Sequence, residues 1–211
     1  DYLITRFTWD CRKYGSWGEF RHEIAYPLML EGAVHHLDIL ADLAGAKCDT
    51  IYMQSWCPSW GEFKGDCNAL ITMTFENGVK AFYEGAKTNA VTLNWWSHEY
   101  FRAECENGTL ILNQRKLETF PYNPELTIAK ALEGEGIQIP LLCQKKWANT
   151  WLIEKFVRWL DGGEPMETNV EANLQSVAHI FAAIESAETG QAVKVQEFLK
   201  KTREKVLAQM K

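Results

Sequence analysis

What this sequence lacks narrows its possible functions considerably. No uncharged apolar run reaches the ~18–20 residues that a membrane-spanning helix needs. No CxxC pair occurs among the six cysteines, Cys11, Cys48, Cys57, Cys67, Cys105 and Cys143, which removes zinc-ribbon and dithiol redox motifs. A chain of 211 residues can build a core without covalent staples, so these cysteines are expected to be reduced core thiols in a cytoplasmic protein. Basic residues are in deficit, 22 against 28 acidic, for a net charge of −6. Nucleic acid is therefore an unsuitable partner. The one basic cluster, Lys200, Lys201, Arg203 and Lys205, surrounds Glu204 and reads as a solvated helix face. No period of 20–50 residues recurs, which excludes a repeat array. No GxGxxG follows a strand, and no P-loop, GxSxG or HExxH occurs, so the chain shows no nucleotide-binding apparatus of its own. No signal peptide is visible, and the sequence opens at Asp1 without Met, which reads as a piece of something longer.

Aromatic and aliphatic residues are plentiful: hydrophobic residues make up 46 %, with nine Trp, ten Phe and seven Tyr. Tyr2–Trp9 is β-branched and aromatic and predicts a strand. Residues 11–30 show no clear period and read as a long loop. Glu31–Ala44 predicts a helix ended by Gly45, and Cys48–Trp56 a strand. Ala69, Ile71, Met73 and Phe75 alternate with polar neighbours, the period of a strand buried on one face. Asn77-Gly78 then predicts a type I′ hairpin turn to Val79–Glu84. Residues 101–106 and 109–112 repeat the device around Asn107-Gly108, and 115–122 adds another strand. The end is helical. Trp147, Trp151, Phe156, Trp159 and Leu160 ride on one helix, with the tryptophans expected in the core. Thr168-Asn169-Val170-Glu171 predicts a capping box with Thr168 as the cap. The next helix closes at Gly190, and a short Val193/Val195 strand and a final amphipathic helix follow. Strands first and helices last predict α+β, an open, mainly antiparallel sheet with helices packed on one face. So many aromatics exceed one single-faced core, so the second face is expected to meet another surface.

On a wheel of 100° per residue, Glu31, His35, Asp38 and Asp42 share one side of the 31–44 helix, while His36 joins the apolar side as a core histidine. Three readings of the stripe stay open on spacing alone. An oriented His beside carboxylates suits general acid–base work on a hydroxyl. A solvated face with an i,i+4 Glu–His pair needs no function. Glu31, His35 and Asp38 also resemble three metal ligands. Arg21 and His22 beside Trp17 and Tyr26 offer polar donors among aromatic plates, the combination sugars and polyols need, and Trp95-Trp96-Ser97-His98 invites the same reading.

Glu31-Gly32-Ala33-Val34-His35-His36-Leu37-Asp38-Ile39-Leu40, with Leu43 and Gly45, resembles the H-x-x-D helix of the Gfo/Idh/MocA oxidoreductases, the relatives of glucose–fructose oxidoreductase and inositol dehydrogenase. Asp66–Gly85, Glu104–Leu110 and a tail of Phe156, Trp159-Leu160, Gly162-Gly163, Pro165, Ala182-Ala183, Ser186, Gly190 and Val193 are similar to that family's C-terminal domain. The resemblance implies a single substrate-binding and oligomerisation domain over 1–211, with the N-terminal Rossmann domain and its catalytic Lys absent from this chain. It implies His35 as acid/base, with Asp38 matching the Asp three residues on. Glu31 stands where the family often has Asp, one methylene longer. NAD or NADP is implied in the complete protein, bound mainly by the missing domain, with no metal. A sugar or polyol is the implied substrate, oriented by Glu31, Asp38, Arg21, His22, Trp17 and Tyr26, and the open sheet face implies a homo-oligomer. The fragment alone is expected to be inactive. The competing expectation is a standalone, non-catalytic carbohydrate-binding or dimerisation module.

Overall fold

A computed structural model of the chain describes residues 1–128 and 136–210. The expected sheet is there, with nine strands among the described residues in the order β8-β7-β6-β5-β1-β4-β3-β2-β9. The strands are β1 Tyr2–Thr8, β2 Cys48–Trp56, β3 Asn68–Phe75, β4 Lys80–Ala86, β5 Tyr100–Cys105, β6 Gly108–Asn113, β7 Lys116–Pro121, β8 Ile137–Ile139 and β9 Val193–Lys194. All neighbouring pairs are antiparallel except β1 with β4, which run parallel.

Strand alternation sorts the side chains. Register aligns Leu3 with Ala81, Thr5 with Tyr83, Tyr83 with Ile71, and Ile71 with Met53. All are buried on one face, with Phe7, Met73 and Ile51. Helices cover that face: α2 Val34–Ala44 lies against β1 and β4, α4 Val170–Thr189 lies against β2, and α5 Val195–Gln209 lies against β2 and β9. Burying each large apolar side chain there stabilises the fold by about 1.5–3 kcal/mol. Successive side chains point to opposite faces of a strand, so Tyr2, Ile4, Arg6, Tyr52, Leu70 and Phe82 lie on the uncovered face, all exposed or half-buried.

Several expectations need correction. The stretch 11–30 is not a bare loop: it holds a short helix, α1 Glu19–Glu23, and its end enters a π turn, Met29–Ala33, that leads into α2. The Asn77-Gly78 turn is not type I′, because only Gly78 has positive φ, at 88°. Gly78 N–H donates to Phe75 O and Phe75 N–H to Val79 O, the pattern of a turn closed by a left-handed glycine bulge. Asn77 instead donates its amide to Ala44 O at 2.8 Å, tying the turn to the end of α2. The cap of α4 is Asn169, not Thr168: its side chain accepts from Glu171 N and Ala172 N.

The α3 helix, Ala148–Leu160, contributes no buried residue, and Trp147 before it is 52 % exposed, so those tryptophans are not core. Cys11, Cys48 and Cys67 are buried free thiols, whereas Cys105 and Cys143 are exposed. Among the described residues, no helix is long and apolar enough to cross a membrane.

Candidate active-site ridge

The site helix begins with Pro27 and Leu28 in helical conformation and widens at once into the π turn. Such one-turn widenings re-aim the side chains that follow. The 100° wheel therefore fails between Glu31 and His35. Glu31 turns to Arg21, accepting from its Nε at 3.0 Å, with both side chains less than a third exposed. The Arg21 guanidinium is fixed further by donation to Trp17 O at 2.9 Å and lies 4.9 Å from the Trp17 ring and 4.4 Å from Phe20. This is the donor-on-aromatic arrangement that the sequence suggested for Arg21 and Trp17.

His35 is exposed on α2 and meets the Trp96 ring edge-on at 5.2 Å. Trp96 packs on Phe7 at 4.6 Å. Trp9 stands 6.0 Å from Trp17 and 6.4 Å from Trp95. The rings of Trp17, Trp9, Phe7 and Trp96, with Phe7 fully buried, thus run from the Arg21–Glu31 pair to His35. The bridge from Thr8 to Asn94, with Thr8 N–H donating to Asn94 O at 2.6 Å, holds Trp95 and Trp96 to the end of β1.

His36, next to His35, is buried and stacked among Phe7, Tyr83, Trp96 and Phe101. Burial, then Lys87 and His35, push its pKa down to about 3. It is the core histidine the wheel predicts, but among the described residues its Nδ1 has no hydrogen-bond partner.

Three expected residues are placed elsewhere. Asp38 accepts from the Ser176 hydroxyl of α4, near the buried His179, whose pKa burial lowers to about 4 while Asp38 acts to raise it. Asp38 therefore pins α2 to α4. His22 is fully buried, stacked 3.9 Å over Phe63 with Nδ1 3.0 Å from Glu62 O, and is out of a ligand's reach. Tyr26 donates to Glu188 of α4 at 3.3 Å. Among the described residues, no group of three or more His, Cys, Asp or Glu is arranged to hold a metal ion.

Sequence reasoning missed Lys87. It leaves β4 into the back of the ridge, fully buried. Its Nζ lies 4.0 Å from the Phe7 ring centre, 4.1 Å from Trp17 and 4.9 Å from Trp9. A Cβ on Gly32 would stand 3.5 Å from that nitrogen, so the π turn passes directly beside it. Burial lowers the Lys87 pKa to about 7, with Arg21 acting in the same direction and Cys11 against it. Only the run Gly85-Ala86-Lys87, a lysine directly after a buried strand, hinted at this.

A family model described as "Oxidoreductase family, C-terminal alpha/beta domain" matches residues 1–195. The uncharacterized protein y4oX of Sinorhizobium fredii (strain NBRC 101917 / NGR234) is 52 % identical over 198 residues, 94 % of this chain and 55 % of that protein. The chain thus spans about half the length of this curated relative. An oxidoreductase of Agrobacterium radiobacter, solved with NAD+, L-tartaric acid and magnesium, matches with a TM-score of 0.71 at 18 % identity, over 93 % of this chain and 57 % of that one. The WlbA dehydrogenase of Bordetella pertussis, solved with NADH and UDP-GlcNAcA, gives 0.68 at 13 % over 92 % and 53 %. At such identities these likenesses speak for the fold alone. The match over residues 1–195 goes further: the chain belongs to the Gfo/Idh/MocA oxidoreductase family, as its C-terminal alpha/beta domain.

Proposed function

We propose that this chain is the substrate-binding half of an NAD(P)-dependent oxidoreductase that acts on a hydroxyl of a sugar or polyol. The observation that carries the reading is the exposed His35 at one end of an aromatic row whose other end is the Arg21–Glu31 pair. Flat rings pack against the C–H faces of a polyol, while Arg21 donates to its oxygens and Glu31 accepts from them. His35 takes the hydroxyl proton as the carbon is oxidised, or returns it in the reverse direction. NAD or NADP supplies the hydride acceptor, held mainly by residues outside this chain. Asp38 acts at a remove, by fixing the pitch of α2 on α4 through Ser176. His22 and Tyr26 hold the segment that presents Trp17 and Arg21.

The uncovered sheet face, with Ile4, Phe82 and Leu70 accessible, supports assembly into a homo-oligomer. Family membership favours this reading over a standalone carbohydrate-binding module.

The deciding experiment is steady-state nicotinamide reduction by the full-length protein against a panel of sugars and polyols. His35→Ala is expected to lower kcat about 10²–10⁴-fold with a small change in KM. The isolated 211-residue chain is expected to show no turnover with either nucleotide. Unchanged kcat in His35→Ala would reject His35 as the acid/base, and turnover by the isolated chain would reject the division of labour.

A further inference from the structure

Lys87 is the residue this reading leaves unused, and its surroundings are unusual. It is fully buried, and among the described residues its Nζ has no hydrogen-bond partner. A buried ammonium without an acceptor is costly, and three aromatic rings offset that only in part. The groups facing it carry no negative charge near neutral pH. Cys11, on the segment after β1, has its thiol pushed up to about 11 by burial. His36, on α2, is held neutral. Arg21, on α1, is itself a cation.

The nearby carboxylates are committed elsewhere: Glu31 to Arg21, Asp10 to Arg12, Glu62 to Lys13, and Glu23 to Lys64. The Trp17 indole contacts both Arg21 and Lys87 and is itself partly exposed. In a chain of net charge −6, one end of the ridge thus holds two basic groups and a single carboxylate.

We propose that this end of the ridge is an anion site, and that the substrate carries a carboxylate, as in a sugar acid or polyhydroxy acid, held at Arg21 and Trp17 within the field of the caged Lys87. The proposal rests on reading the ridge as the substrate side, and adds the class of substrate. The incoming charge supplies the counter-ion that Lys87 lacks, so binding draws a proton onto Nζ. With a free-state pKa of about 7, affinity for the anion falls as pH rises above 7, and binding at pH 8 takes up roughly half a proton or more. Arg21 is the binding residue. Lys87 is a positioning residue that acts through charge.

The test is titration calorimetry of the full-length protein with NAD+ present, using D-gluconate against D-glucitol, its neutral counterpart. Each runs at pH 8 in triethanolamine chloride and in Tris chloride, whose ionisation enthalpies differ. D-gluconate is expected to bind at least tenfold more tightly than D-glucitol, with proton uptake. Lys87→Met keeps the volume and removes the charge. It is expected to abolish the uptake, flatten the pH dependence and weaken D-gluconate about tenfold, leaving D-glucitol unchanged. Lys87→Arg is expected to restore affinity without uptake. Circular dichroism checks that each variant folds. Equal affinity for the two probes, uptake that survives Lys87→Met, or binding of neither probe overturns the proposal. If neutral polyols are oxidised with no preference for acids, the oxidoreductase reading stands and the anion site falls. If D-gluconate binds with Lys87-dependent uptake but nothing reduces the nucleotide, the anion site stands and the redox reading falls.

Discussion

Three buried bases set how stability should respond to pH. Lys87 has a folded pKa near 7, below its unfolded value of about 10.4. Between those values the unfolded chain binds the extra proton, so this residue's contribution to stability rises with pH from about 7 to 10. Lys87→Met, which leaves no charge to bury, is expected to be more stable than the parent at pH 6, by a margin that narrows toward pH 9. Urea denaturation at the two pH values measures it, and a margin independent of pH counts against a buried, shifted amine. His36 and His179 are lowered to about 3 and about 4. The unfolded forms of both protonate near pH 6.5 while the folded forms do not, so stability present above 6.5 is lost as pH falls toward 4. His179→Leu is expected to blunt that acid loss in a thermal melt series. Lys87 and His179 show why part of the site was illegible in the sequence. Each is a polar residue whose meaning comes from which rings and helices surround it, and those arrive from strands and helices far along the chain.

The segments hold to one another through backbone contacts that single substitutions can break. Gly65 lies so close to the Ala25 carbonyl that a Cβ would sit 1.9 Å from the oxygen. The same strip is tied by Lys64 N–H to His22 O and Asp66 N–H to Ala25 O, both 2.8 Å. Gly65→Ala must therefore push the 57–67 loop away from α1 and the approach to the π turn. A loss of about 1–3 kcal/mol is expected, together with a weakened ridge, read by chemical denaturation and by ligand affinity. Asn169→Ala removes the two-bond cap of α4 and is expected to cost about 0.5–2 kcal/mol, with no change at His35.

Most elements could be read in advance, because β2, β3 and the end of α2 at Gly45 follow from local pattern: alternation, turn glycines and a left-handed cap. The π turn could not. Its extra width is tied to Gly32 packing beside Lys87 and Trp17, a contact between residues 55 positions apart that no local period records. The α3 helix misled for the opposite reason. Its apolar pattern reads as core, yet nothing described in this chain buries it.

At the scale of the molecule, helices cover one face of the sheet in the half that holds β1, β4, β3, β2 and β9, and the opposite face lies open. The Arg6–Glu84 pair, at 3.2 Å and substantially exposed, contributes little by itself, and the face offers half-buried Ile4 and Phe82 beside it. Sedimentation of the full-length protein is expected to give a dimer or larger, and Phe82→Glu to shift it toward the monomer while the circular dichroism spectrum is kept. A monomer at all micromolar concentrations would remove the oligomer proposal. The central position of β1 has a different consequence, for how the chain acquires its structure. Its two sheet partners pair Tyr2 with Lys80 on one side and with Glu104 on the other. Closing such distant pairs is slow, because loop entropy must be lost before the contacts form. At a synthesis rate of about 5–20 residues per second, β1 waits several seconds on the ribosome even for β4, the earlier of its two sheet neighbours in the chain. Throughout that interval its apolar side chains, Leu3 and Phe7 among them, have no sheet to join, which leaves this short stretch open to capture by a chaperone.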